Sequence, residues 1–232
     1  FTALSWSDYV TSGQADTWVQ GITLAFSLFC LVVAIATVLL RRLPRFATAF
    51  LIAGSLALLS LTLLYTLEYF FYAGMFLEYT LMWTTPLFLL ILIRRDQRVP
   101  PRLIWLMKGA VAFTFVGHGL FALGFHPVPV HFVEMTLNIL PITESAAMTF
   151  LFVAGVLDLL VGIGVFIPRI DRPALFYAAI WGLLTGLARL WSYFDINYMA
   201  STLDAWLFES LIRLPHAVIP FVLFVILTRA RK

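Results

Sequence analysis

Recurring apolar runs of about twenty residues, each closed by a short polar turn, constrain this chain more than any other feature. They cover residues 18–40, 46–70, 75–93, 103–124, 146–167, 173–194 and 208–228. Hydrocarbon offers backbone N–H and C=O groups no partner, so in an open chain each run must be a helix. The expected fold class is all-α: a polytopic membrane protein with seven transmembrane helices. Composition agrees, with 62% hydrophobic and 12% charged residues over 232 positions, against roughly a quarter charged in soluble domains.

Basic residues set the orientation. Arg41, Arg42 and Arg45 follow the first span, and Arg94, Arg95, Arg98 and Arg102 the third. Arg169 and Arg172 follow the fifth, and Arg229, Arg231 and Lys232 the seventh. All fall on one side of the bilayer, which the positive-inside rule makes cytoplasmic. The expectation is an outside N-terminus, a cytoplasmic C-terminus and residence in the cytoplasmic (inner) membrane. These charges sit in short loops rather than on one exposed patch, so the partner is the lipid bilayer and not nucleic acid. Cys30 is the single cysteine. It leaves no intramolecular disulfide and no CxxC pair, and reads as a small apolar filler. The opening segment is polar, lacks the basic start of a signal peptide and begins at Phe1 rather than Met, which suggests trimming or processing.

The opposite side gathers Asp8, Asp16, Asp195 and Asp204 with Trp6, Trp18, Trp83, Trp191 and Trp206. An aromatic belt accounts for part of this. The run from Tyr65 to Trp83 is richer than a belt requires. It fits a surface for membrane-protein partners, the wall of a pocket for a flat ligand, or ordinary lipid-facing packing.

Small residues mark close helix approaches: Ala178, Gly182 and Gly186 in the sixth span, and Ala154 and Gly162 flanking Asp158 in the fifth. In the third span, Pro86 should kink the helix, with Thr84 and Thr85 able to satisfy freed carbonyls.

The stretch from His118 to Ser145 interrupts the lipid-soluble pattern and holds three of the four histidines. Pro127 and Pro129 stop the fourth span. Residues 130–140 then suit a short interfacial helix closed by Pro141. His131, Glu134 and Asn138 share its polar face above an apolar side of Phe132, Val133, Leu137 and Leu140. Such a helix would be a lid over the outer ends of the spans.

Ionisable residues inside a membrane are costly and default to functional candidates. Counting about 1.5 Å per residue from the outer helix ends places Glu68, Glu78, His118, Arg189, Arg213 and His216 at a common depth in the outer third of the bilayer. Asp158 lies nearer the middle and requires a partner, with Arg189 or a histidine the natural choice. His118, Arg189, Arg213, His216, Glu68, Glu78 and Asp158 are therefore the candidate ligand-binding set, in one outward-open pocket. Glu209 is a further carboxylate that can balance the arginines.

His118, His126, His131 and His216 supply metal-binding ingredients, but neither an HExxH nor a Glu-x-x-His spacing is present, and no metal is assigned. A haem held by His118 and His216 is a weaker alternative. Retinal is disfavoured because the seventh span has no lysine for a Schiff base. Two arginines beside histidines suit an anion or a quinone-like carbonyl head group. The residues select no cofactor and no reaction.

From the fourth span onward the chain resembles the DoxX-like family of small four-helix membrane proteins. The resemblance rests on His118-Gly119 and Leu123-Gly124, on the proline-containing segment that follows, and on Phe150 to Pro168 with Gly155, Asp158, Gly162 and Gly164. It continues through the basic turn Arg169 to Arg172 and the alanine-rich sixth span, covering residues 103–193. The family often carries a lysine four residues after that histidine, where Ala122 stands here, and its small members lack the three preceding spans. The resemblance implies two parts: three N-terminal helices over 1–102, and a four-helix bundle over 103–232 whose polar pocket faces the histidine. Some members are associated with membrane sulfur or quinone redox chemistry, others with assembly. The expected function is binding of a small quinone-like or anionic ligand, as an accessory component of a membrane redox system. The alternatives are a small-solute or proton-coupled transporter that uses Asp158, and a structural subunit of a larger membrane complex.

Overall fold

The computed structural model describes residues 5, 7, 11, 13–94 and 99–230; Trp6, Asp8, Arg95, Arg98, Arg231 and Lys232 of the sequence reading lie outside them. Regular structure among the described residues is helical throughout. The helices are α1 (Gly13–Val38), α2 (Pro44–Glu68), α3 (Ala73–Glu78), α4 (Thr80–Arg94) and α5 (Pro101–Ala122). They continue with α6 (Val130–Ile139), α7 (Glu144–Gly164), α8 (Asp171–Ser192), a short 3-10 turn at Ile196–Tyr198, α9 (Met199–Ile212) and α10 (Pro215–Ala230). Among the described residues, seven stretches are long and apolar enough to cross a membrane.

Proline fixes several helix starts. Pro44, Pro101 and Pro215 each occupy the first helical position, where the missing N–H removes nothing and the fixed φ is already helical. Thr143 caps α7 by accepting from the Ala146 backbone N–H at 3.3 Å. Gly124, with φ of 77°, turns the chain out of α5 in the left-handed region that a side chain would strain. Pro86 deprives the Met82 carbonyl of its helical partner, but the neighbouring hydroxyls do not answer it. Thr84 donates to Thr80 and Thr85 to Leu81, each one turn back along the helix.

Two spans are interrupted. The third runs from Ala73 to Arg94 with a break at Tyr79, and the seventh begins early, at Ile196, and breaks at Arg213 and Leu214. Pro215 accounts for the second break, since it can neither donate a helical hydrogen bond nor tolerate a helical residue before it.

The chain clusters into two compact units, Phe1–Gly54 and Ser55–Lys232. The division does not fall near residue 102, because α3 and α4 pack on α5, and α4 also on α10. In the first unit, Phe46 and Phe50 bring their rings to 4.4 Å, and the absent side chain of Gly54 leaves room for Val33. The second unit holds a core in which Leu81 and Phe88 of α4 join Met107 and Val111 of α5, Val161 of α7, Leu175 of α8 and Leu223 of α10. Lipid tails are as apolar as leucine, so these helices are held by close packing rather than by exclusion of water. Glycine sets the closeness. A Cβ on Gly117 would collide with the backbone of Glu78 and Gly74, so α3 lies this close to α5 because residue 117 carries no side chain.

Candidate functional site: a cavity beneath helix α6

Helix α6 is held by all three residues of its expected polar face. Arg189 Nη2 donates to His131 Nε2 at 3.0 Å, the Tyr193 hydroxyl donates to Glu134 at 3.0 Å, and Asn138 Nδ2 donates to Ser192 Oγ at 3.1 Å. All three partners lie at the C-terminal end of α8. Burial and the adjacent Arg189 guanidinium lower the His131 imidazole to about 4, so it is neutral and accepts the arginine's hydrogen bond. Burial and the Glu134 carboxylate push the Tyr193 phenol up.

Below α6 lies a cavity of about 460 Å³, the size of a head group or a small drug-like ligand. Its apolar wall includes Phe115, Phe132, Met135, Leu151, Ala154 and Trp181, and its polar residues are Thr114, His118, Thr136, Thr185, Arg189, Arg213 and His216. His118, Arg189, Arg213 and His216 thus converge on one cavity, as their shared depth in the sequence suggests.

The two helix breaks meet at its floor. Arg213 Nη1 donates to Glu78 Oε1 at 2.6 Å and Arg213 Nη2 to the Tyr79 hydroxyl at 3.1 Å. The Arg213 guanidinium also lies over the Tyr79 ring. His216 Nε2 lies 3.2 Å from the backbone oxygen of Glu78, and facing a carbonyl it must be the donor. That carbonyl is one the break at Tyr79 would otherwise leave unmet, and on the other side of the break the Leu81 N–H is met by Thr114 Oγ1 at 3.1 Å. Gly182 makes the arrangement possible, because a Cβ there would overlap the His216 backbone. This use of the glycine stripe in α8 is more specific than helix approach in general.

Charge closes within the cluster. Glu78 pairs with Arg213, and one oxygen of Glu209 lies 3.7 Å from Arg189 Nε and 3.9 Å from Arg213 Nε. Two guanidiniums therefore face two carboxylates, and neither arginine is left to be neutralised by a ligand.

At the other side of the cavity, His118 Nδ1 lies 2.7 Å from Asp158 Oδ2, and Asp158 is fully buried. The partner of Asp158 is a histidine and not Arg189. The His118 side chain remains 19% accessible. With Nδ1 committed to the carboxylate, Nε2 is the ring nitrogen left for the cavity. Close packing fixes the pair, since Gly119 brings α5 against the Gly155 carbonyl and the Asp158 side chain.

Glu78 and Asp158 sit behind Arg213 and His118 and are not part of the cavity wall, and two further candidates fall elsewhere. Glu68 ends α2 in an exposed position and does not line the cavity. His126 is stacked on Tyr72 with ring centroids 4.6 Å apart, and its Nε2 accepts from the Gly74 N–H at 3.3 Å, so it serves the turn between α2 and α3. Among the described residues no group of three His, Cys, Asp or Glu side chains is placed to hold a metal ion. Sequence reasoning missed Tyr79 and Trp181 at the site, and gave Glu209 no fixed partner. It also missed a buried ion pair at the opposite end of the bundle, where Lys108 Nζ lies 3.0 Å from Asp171 Oδ2.

Comparison of the chain with protein-family models, with curated proteins and with solved structures finds no match.

Proposed function

We propose that this protein binds a small ligand with a neutral, quinone-like head in the cavity beneath α6, and serves a membrane redox system as an accessory component. In this reading it is a DoxX-like protein of the cytoplasmic membrane, with the N-terminus and the cavity on the outer side. The observation that carries it is the contrast between the cavity's two polar sides. Arg189 and Arg213 are already balanced by Glu78 and Glu209, which disfavours the anionic alternative, because an added anion would meet an electrostatically closed cluster. His118 instead offers Nε2 from a ring held in place by Asp158, and on an otherwise apolar ring that nitrogen accepts from a hydroxyl when the imidazole is neutral and donates to a carbonyl oxygen when it is protonated. The apolar wall supplies the contact area and the imidazole the orientation.

The test is direct. The protein purified in mild detergent is extracted with organic solvent for mass spectrometry, then titrated with duroquinone and separately with inorganic sulfate. Trp181, in the cavity wall, reports occupancy through its fluorescence, with Trp181→Phe as the control. Saturable quenching by duroquinone that is lost in His118→Ala, with no response to sulfate, supports the reading. Saturable sulfate binding with no quinone response overturns it.

A further inference from the structure

The cavity wall includes residues that are not enclosed. Phe150 of α7 is 39% exposed, Leu184 and Leu187 of α8 are 55% and 43% exposed, and Trp191 is 75% exposed, yet all four line the cavity. A residue can do both only at a mouth. Phe150, Leu184 and Leu187 lie within two spanning helices, α7 and α8, so the mouth opens on the flank of the bundle, with Trp191, next to the end of α8, at its outer margin.

Depth identifies what the mouth faces. Phe150 lies six residues inside α7 and Leu184 eight residues inside α8, about 9 Å and 12 Å from the nearer helix ends. A hole lined by aromatic and leucine side chains at that depth meets acyl chains, not water. Access from the helix ends is obstructed by α6, which is fastened to α8 through His131, Glu134 and Asn138.

We infer that the cavity is loaded sideways from the bilayer, and that its natural ligand is a lipid-borne molecule whose head sits against His118 while a long hydrocarbon tail passes between α7 and α8. A cavity of about 460 Å³ accommodates a head group but not a polyprenyl chain as well, so the tail must leave through the opening. The inference rests on the head-group reading above and adds the ligand class: a membrane-dissolved, tailed ring compound rather than a water-soluble one.

Two measurements test it separately from that reading. Spin labels at Phe150→Cys and Leu184→Cys, in protein reconstituted into phosphatidylcholine nanodiscs without added quinone, should be relaxed by oxygen and not by a water-soluble nickel chelate. Relaxation by the nickel chelate at both sites would overturn the lipid-facing mouth whether or not any quinone binds. Binding of duroquinone and of a long-tailed polyprenyl benzoquinone is then compared at equal mole fraction in the bilayer. An open side mouth gives affinities within about threefold of each other, whereas a closed cavity rejects the tailed compound by a hundredfold or more, on the order of 2.7 kcal/mol. Leu184→Trp, which narrows the mouth, should lower affinity for the tailed compound on the order of tenfold more than for duroquinone. Equal loss for both compounds would place the tail elsewhere. If neither compound binds, the head-group reading fails while the spin labels still decide where the cavity opens.

Discussion

Asp158 and His118, forty residues apart in sequence, are joined at 2.7 Å across the packed faces of α7 and α5. The carboxylate is wholly enclosed and the imidazole reaches the cavity. The histidine is therefore a cavity-facing group and the aspartate the group that positions it.

Asp158→Asn should keep the bundle folded, because an amide oxygen can still accept from His118 Nδ1, while head-group affinity falls several-fold. His118→Ala strands the buried acid and should destabilise the bundle by about 1–3 kcal/mol if the acid protonates, and by more if it stays ionised. Thermal unfolding in detergent, run alongside the duroquinone titration, separates the two effects. Asp158→Leu with full stability and full binding would remove Asp158 from the site.

Breaking the closed charge cluster should be costly. Glu78→Ala leaves Arg213 buried without its closest carboxylate and should destabilise by about 3–5 kcal/mol. Replacing both Glu78 and Arg213 by methionine should recover most of that loss, since a buried pair contributes little beyond what apolar packing provides. Arg189→Ala should likewise lower stability, because Glu209 loses one of its two cations. A stable Arg189→Ala protein that had lost only ligand affinity would show that the ligand, and not the glutamate, supplies the balancing charge.

The lid should loosen in acid. His131 is held to about 4 in the folded protein, below the ordinary histidine value of about 6.5. Between those values the unfolded or detached form binds more protons, so the contribution is fully present above about 6.5 and is lost as pH falls toward about 4. Unfolding midpoints of the native protein and of His131→Asn, compared at pH 7.5 and pH 4.5 (both on the order of the histidine range), should show a smaller acid loss in the variant. An equal loss would mean that other groups govern the acid response.

Topology can be checked by labelling. A cysteine introduced at Ser201, exposed in α9, should react with an impermeant thiol reagent on intact cells, and one at Gln97 should not. Native Cys30 is first replaced by serine. Labelling at Gln97 alone would invert the orientation proposed for the cavity.

The existence of seven spans and of the amphipathic helix at 130–140 was legible because both depend on periodicity and on lipid solubility, which are local properties. The convergence of His118, Arg189, Arg213 and His216 was legible from depth, because a helix rises uniformly. What depth cannot give is azimuth. Glu68 and Glu78 flank the same turn symmetrically, yet one faces outward and the other pairs with Arg213. The break at Arg213 had a visible cause in Pro215, whereas the break at Tyr79 had none, and the backbone groups it frees are met by side chains of α5 and α10. Lys108 escaped attention because one cation in an apolar run resembles a snorkelling side chain until Asp171 is seen beside it.

The two interrupted spans have a bearing on how the chain is made. The carboxylate of Glu78 meets its guanidinium only 135 residues later, and its backbone oxygen waits for His216. While α3 and α4 are entering the bilayer, neither partner has been synthesised. A gap in a helix is tolerated in lipid only when protein fills it, so the nascent third span must travel either unbroken or sheltered by the insertion machinery. Its final shape is conferred by the last helix to arrive, and a chain ending after α8 would leave the Glu78 carboxylate without its guanidinium.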